Sequence, residues 1–371
     1  MEEDKYLGLV ISFVLFIIGL EYLLTRSKGK RVFRFQNTIS NLLMGAFDRV
    51  ASLFMVPLIY FYYGFLYEHF RLLSIPETMG YFVLAVFLSD FIWYFYHRSG
   101  HRINLFWGAH IIHHQSEDYN YTVALNLTPF QVALRVLFWS FMPVLGFTPK
   151  VVLGTHLVIG LYQFLLHTTL VPKLGIIERI FVTPSHHRVH HGSNEAYLDK
   201  NYGGVLILWD RLFGTFQEET DSVTYGLTKD VNSRDFLTTV FHYYQNLIFQ
   251  MKQLPSLQQK LALLIKGPDW VPETGALQSL SLYVDKGKAS YFSYTLAQKA
   301  YIVLNLVALF ICLSVISYYV TTFSSILLFS IVLWVLATLV LVGKRLEKKR
   351  TVRLEIYRLG LMLVWCYISF S

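Results

Sequence analysis

Eleven of the chain's 13 histidines fall between residues 97 and 191, where an even spread over 371 residues would put about three. They come in clusters: His97-Arg-Ser-Gly-His101, then His110-Ile-Ile-His113-His114, then His186-His187-Arg-Val-His190-His191. On an α-helix, residues at i, i+3 and i+4 share one face. His97 can therefore face the same way as His101. His110, His113 and His114 can converge, and so can His187, His190 and His191. Imidazole suits iron, zinc, copper and nickel. Eight such rings are too many for one tetrahedral zinc. They suit two metal ions with three or four protein ligands each, leaving room for oxygen or water. A lone histidine is usually a packing or hydrogen-bonding residue. Repeated His-x-x-His-His beside apolar runs is hard to explain that way, because burying so many polar rings without partners is costly.

Other residues group around these. His167, in Gln163-Phe-Leu-Leu-His167, reads as a ninth ligand or as a donor behind the ligands. His186 points off the face of the third cluster and reads as a tenth ligand or a supporting group. His156 lies inside an apolar run and is expected to pair with a neighbouring helix, while His69 and His242 are remote. Metal-bound imidazoles usually hand their second N–H to a carboxylate or carbonyl. Asp90, seven residues before His97, is expected to serve His97 or His101 in this way, or else to pair with Arg98 or Arg102. Glu117 and Asp118 follow the second cluster and read as ligands, as groups behind them, or as a solvated loop. No His-Glu-x-x-His occurs, so a zinc protease fails at its first motif. No Gly-x-Ser-x-Gly elbow is present either. Cys312 and Cys366 cannot form a four-thiolate site, and no Gly-x-Gly-x-x-Gly opens a helix. No thiolate, flavin or nicotinamide signature accompanies the histidines.

The elements that position these residues are membrane helices. Hydrophobic residues make up 54% of the chain and charged residues 15%, with a mean hydropathy of +0.44. A soluble domain carries roughly 25% charge, so a soluble enzyme is disfavoured. A bilayer core of ~30 Å needs about 20 apolar residues in a helix. Runs at residues 7–24, 42–67 and 79–96 meet that need. Residues 123–148 and 151–170 read as an apolar hairpin carrying Arg135, spanning fully or partly. Residues 300–343 carry no formal charge, which allows two spans turning near 321–325, and residues 354–370 make a final helix. The expectation is an all-α, polytopic membrane protein of about eight spans. The start, Met1-Glu-Glu-Asp-Lys5, is acidic and unlike a signal peptide, so the first run reads as a retained span. Basic clusters at residues 26–34 and 344–350 would lie on one side, the cytoplasmic one. Charge sorted in this way accounts for the net +8 without nucleic acid as a partner. Residues 171–298 are polar and are expected to form a cytoplasmic, histidine-rich di-metal cap. Within it, residues 236–254 and 257–265 have helical apolar spacing and lie in the interface or pack on the cap. The organisation reads as membrane spans in 1–78, a catalytic unit in 79–290 and further membrane helices in 291–371. A metal transporter would place its ligands near the bilayer midplane, often in repeated halves. Here the clusters fall at run ends and no repeat is visible. A scaffold without activity would not need the complete histidine set.

The spacing of the three clusters resembles the fatty acid hydroxylase and sterol desaturase superfamily. Within it, the strings Trp107-Gly-Ala-His-Ile-Ile-His-His-Gln-Ser-Glu-Asp-Tyr-Asn120, Thr183-Pro-Ser-His-His-Arg-Val-His-His-Gly192 and Asp199-Lys-Asn-Tyr-Gly-Gly-Val-Leu-Ile-Leu-Trp-Asp-Arg-Leu-Phe-Gly-Thr-Phe216 are most similar to the subgroup that cleaves glyceryl ethers. Lys266-Gly-Pro-Asp-Trp270 and the extra C-terminal helices are also similar to it. The resemblance implies a non-haem di-iron monooxygenase, with His97, His101, His110, His113, His114, His187, His190 and His191 as ligands and Asn201 among the groups behind them. It implies dioxygen and a lipid as substrates, hydroxylated beside the ether oxygen to release a fatty aldehyde. The electron donor it implies is tetrahydrobiopterin for ether cleavage, or a redox protein for hydroxylation or desaturation of a sterol, carotenoid or polar lipid. Two positions depart from the subgroup: Arg102 stands in place of an acidic residue, and Asn126 in place of an arginine.

Overall fold

A computed structural model describes the backbone of residues 3–273, 275–319 and 322–370, with side chains from residue 10 to residue 365 within those segments. Met1 and Glu2 of the acidic start, the turn position Thr321 and the Cys366 side chain lie outside what is described. In lipid every backbone polar group must be satisfied within its own segment, so apolar runs become helices. The chain opens with α1 (Glu3–Ser27), α2 (Phe35–Phe70) and α3 (Met79–Arg102), then the short α4 (Asn104–His114). A broken pair follows, α5 (Pro129–Trp139) and α6 (Phe141–Leu145), and then α7 (Pro149–Leu166). The polar cap contains α8 (Pro184–His190), α9 (Leu208–Leu212), α10 (Phe236–Met251) and α11 (Leu257–Ile265). It also holds a two-stranded antiparallel ribbon, β1 (Lys229–Val231) with β2 (Tyr283–Asp285), in which Asp230 faces Val284. The C-terminal part is α12 (Leu296–Tyr319), α13 (Ser325–Leu346) and α14 (Val352–Phe370).

Among the described residues six helices are long and apolar enough to cross a membrane: α1, α2, α3, α7, α12 and α13. Their outward faces carry exposed apolar residues such as Phe61, Val83, Leu157 and Leu304. The chain is a multi-pass membrane protein. Two of the eight expected runs fall outside these six, each for a local reason. Pro143 lacks an N–H for the Trp139 carbonyl and its ring crowds that turn, so the first arm of the hairpin breaks at Ser140 into α5 and α6. The broken arm still traverses the protein. The Leu72 N–H donates to the Val144 carbonyl at 2.8 Å, and Thr148 Oγ1 donates to Glu77 at 2.5 Å. Both contacts lie at the level of the α2–α3 connection. The other exception, α14, carries Arg353, Glu355 and Arg358 in its first turns. Arg358 donates to Asn305 of α12 at 2.8 Å and lies over the Trp334 ring of α13. This is a helix held to its neighbours by polar contacts.

The packing joins parts that are far apart in sequence. Ile18 of α1, Leu43 and Met44 of α2, Leu309 and Leu313 of α12 and Leu339 and Val342 of α13 share one buried cluster. A second cluster holds Tyr63 of α2, Trp93 of α3, Trp139 of α5 and Ile159 of α7. At 36 residues, α2 is about 54 Å long at 1.5 Å per residue, against a bilayer core of ~30 Å. Its first turns therefore rise out of the apolar layer. They bury Gln36, Asn37, Ser40 and Asn41 inside the cap. The amphipathic α10 and α11 pack one face on α4, where Tyr243 bonds to Asn104 and the Tyr244 ring lies against Gly108. Leu237, Ile248, Leu257 and Ile265 stay exposed on their other face.

Candidate metal centre

Four elements bring the histidines together. The final turns of α3 present His97 and His101 on one face. Ile103 is extended, so the chain breaks there and α4 starts at a new angle. The Asn104 N–H donates to the Lys266 carbonyl and its amide to that of Leu263, both at 2.8 Å, which pins the break to the cap. From there α4 presents His110, His113 and His114. Thr183 caps α8, with Pro184 in the first turn. Pro is preorganised for that position. The helix then presents His187 and His190, with His191 as its final cap. His167 caps the end of α7.

The result is two groups of buried imidazoles. His97, His101, His110, His114 and His190 form one, and His113, His167, His187 and His191 the other. Within each group the ligating nitrogens lie within 4.8 Å of one another. The closest approaches are between Nε2 atoms: His97 to His110 at 3.1 Å, His114 to His110 at 3.1 Å, His113 to His167 at 3.2 Å and His187 to His167 at 3.0 Å. Hydrogen bonding cannot account for all of these, since each neutral ring carries one N–H. His97, His167 and His190 each spend it on the other side, where Nδ1 donates to the carbonyls of Tyr202 (2.9 Å), Gln163 (2.8 Å) and Lys200 (2.9 Å). Their Nε2 lone pairs are thereby aimed inward. Nε2 of His101, His190 and His191 has no hydrogen-bond partner among the described residues. Two nitrogens that each bind one cation at ~2.1 Å lie about 3.0–3.4 Å apart, which matches the spacing found.

Burial, reinforced by neighbouring imidazoles, holds His113, His114, His187 and His191 well below the usual histidine range. It pushes His110 and His167 down to about 3 and His190 to about 4. The rings are neutral, which is the form that binds metal. Neither group contains a carboxylate. An all-nitrogen set fits transition metals and not magnesium or calcium, so the residues fit a metal cofactor.

The structure places the remaining expected residues as follows. His167 sits inside the second group. His186 stands outside both: its Nδ1 faces the Thr183 N–H and its ring meets the edge of Phe216. Asp90 bonds to no histidine. It accepts from the Val205 and Leu206 N–H groups at 2.6 and 3.0 Å and from Trp209 Nε1 at 2.8 Å. Two turns separate it from His97, and the loop that carries Tyr202 fills that gap. A Cβ on Gly204 would meet the Asp90 carboxylate, so glycine is required where loop and helix touch. Glu117 pairs with Arg34 and Arg234, and Asp118 accepts from the Arg34 N–H and the Asn37 amide. Both tie the cap to α2 and touch no imidazole. Asn201 has φ +55° and bonds to the His186 and Gln217 carbonyls, steadying the backbone of the third motif. His156 packs against Trp139 with the rings tilted, and His242 meets the Tyr283 hydroxyl.

Several contributors escaped the motif reading. The carbonyls of Gln163, Lys200 and Tyr202 orient ligands, yet carbonyls leave no trace in residue type. Asp210 holds the Tyr202 and Gly203 N–H groups at 2.8 Å each. Tyr119 stacks on His167 and on Tyr225. The strings around positions 119 and 199–210 were the only available signal for them. Arg102 pairs with Asp199 at 2.5 Å, beside His101. Asn126 donates to the Ile112 carbonyl, between two ligand positions of α4.

Comparison with known proteins gives consistent relatives. The family model described as fatty acid hydroxylase matches residues 82–215. Alkylglycerol monooxygenase of Homo sapiens is 37% identical over 264 residues, 71% of this chain and 58% of that protein. Alkylglycerol monooxygenase of Danio rerio is 33% identical over 311 residues, 82% of this chain and 69% of that protein. An ornithine lipid hydroxylase of Rhizobium tropici is 30% identical over 159 residues, 40% of this chain and 46% of that protein. The chain thus spans less than two thirds of the human protein's length. No solved structure matches.

Proposed function

Since the chain belongs to the fatty acid hydroxylase family, we propose that it is a membrane monooxygenase whose two histidine groups hold a pair of iron ions and whose substrate is an ether lipid. The observation that carries this is the pair of adjoining groups, five and four buried imidazoles, at the C-terminal end of α3. Iron, when bound, activates dioxygen so that one oxygen atom enters a lipid C–H bond. Insertion beside the ether oxygen of an alkylglycerol gives a hemiacetal, which collapses to a fatty aldehyde and a glycerol. Two electrons and two protons reduce the second oxygen atom to water. The electrons come from outside, from reduced tetrahydrobiopterin or from a redox protein.

The protein's own contribution is to bind, orient and exclude water. The Tyr202, Gln163 and Lys200 carbonyls fix ring orientation. The chain enters between apolar helices, and the reacting carbon stays near headgroup level, where the histidines lie. The active side is the cytoplasmic one. Lys30 of the first basic cluster bonds to the Thr169 carbonyl, close to His167. Glu347, inside the second basic cluster, accepts from the cap N–H groups of Arg234 and Asp235. Both clusters thus sit at the histidine end, and basic loops face the cytoplasm.

The test is fatty-aldehyde release from a 1-O-alkylglycerol by membranes containing the protein, with and without oxygen and reduced pterin, beside His113→Ala. Aldehyde that needs all three supports the reading. The Arg102–Asp199 pair beside His101 favours a second one, hydroxylation of another polar lipid through a protein donor. Iron-loaded membranes that release no aldehyde but hydroxylate such a lipid would establish it.

A further inference from the structure

Behind the second histidine motif lies a void of about 10 Å³, lined only by polar residues, among them Gln115, Asn126, Thr239 and Arg234. That is about the room one water molecule needs. Three of the lining side chains are each more than nine-tenths buried and end in atoms with no hydrogen-bond partner among the described residues: Gln115 Oε1, Asn126 Oδ1 and Thr239 Oγ1. Leaving such groups unpaired costs about 1–3 kcal/mol each, and native proteins rarely do so. The set is chemically complementary to water. A water donates two hydrogen bonds, one to each amide oxygen, and accepts one from the threonine hydroxyl.

We infer that this void binds one water molecule, which joins three elements and so sets the position of His113 and His114. Gln115 is the cap residue of α4, directly after His114. Asn126 follows the short turn Val123–Leu125, and its amide nitrogen already holds the Ile112 carbonyl. Thr239 belongs to α10. One end of the Asn126 amide thus grips the ligand-bearing turn of α4, and the water completes the other end and links both to α10. A larger cap cavity of about 200 Å³ also has Arg234 in its wall, and Gln36 lines it beside Asn37 of the inner void. The positioning role rests on the histidine groups holding metal; the water site itself does not.

The experiment is an experimental structure of the metal-loaded protein at water-resolving detail, paired with cobalt(II) titration of wild type, Thr239→Val and Thr239→Ser. Valine keeps the shape and removes the hydroxyl. The expected result is density within hydrogen-bond reach of all three atoms in wild type and none in Thr239→Val. Cobalt affinity should fall about tenfold or more in the valine variant, the usual range for outer partners of metal ligands, with an altered visible spectrum. Serine should restore both. A wild-type void without density overturns the site. Density with unchanged affinity and spectrum in Thr239→Val overturns the positioning role. A wild type that holds the water but binds no cobalt overturns that role together with the metal reading, and leaves the site standing.

Discussion

The Nε2 atoms of His167 and His187 lie 3.0 Å apart, although one caps the end of an apolar helix and the other belongs to the third motif. Arg188 closes the loop between them. It donates to the Thr168 and Val171 carbonyls at 3.2 and 2.9 Å and pairs with Glu219 at 2.7 Å. With His113 Nε2 3.2 Å away on the other side, His167 sits at the centre of its group.

His167→Ala should therefore lower metal content, most of all for the group of four, while His186→Ala should retain it. The second change removes a contact at the α8 cap and the packing on Phe216, which costs stability and not a ligand. Metal analysis of both purified variants checks this. Equal metal in His167→Ala and wild type would sink the assignment.

Asp90→Ala should loosen the loop that orients His97. It leaves the Val205 and Leu206 N–H groups and the Trp209 indole N–H without an acceptor, at about 1–3 kcal/mol for each group that water cannot reach. A lower unfolding temperature and faster metal loss to a chelator are expected. Gly204→Ala should have a similar effect by pressing on the same carboxylate. Wild-type stability and metal retention in Asp90→Ala would show that the loop is held some other way.

Metal removal should destabilise the protein as a whole. A ligand that binds only the folded state adds about 2.7 kcal/mol at a concentration 100 times its Kd. Chelated protein should melt at a lower temperature. Iron(II) and zinc(II) should each restore the melting temperature, since affinity order does not favour iron. Lipid oxidation should return with iron alone. Oxidation with zinc as the sole metal would refute the redox role.

The two ends of the bundle should lie on opposite sides of the membrane. Lys28→Cys, in the first basic loop, should react with an impermeant thiol reagent from the same side as a cysteine at Lys348, in the second. Leu72→Cys should react only from the other side. Both native positions, Lys28 and Leu72, are exposed. Labelling of positions 28 and 72 from one side would overturn the topology.

Local periodicity alone determined much of this protein. The 3.6-residue repeat puts His97 with His101, and His110 with His113 and His114, whatever the rest of the chain does. Apolar length likewise made α1, α2, α3, α12 and α13 legible as spans, because a bilayer leaves an apolar run no other backbone solution. Where helices meet lay outside that information. The motifs do not map one to one onto the two groups. His110 and His114 join His97, His101 and His190, whereas His113, on the same helix, joins His167, His187 and His191. The division arises because neighbouring imidazoles on one helix are splayed and meet partners from different elements. Asp90 shows the same limit: its helical phase toward His97 was readable, but the loop that took its carboxylate comes from more than a hundred residues away. Sequence spacing determines which side chains share a face; only the closure of the chain decides what that face meets.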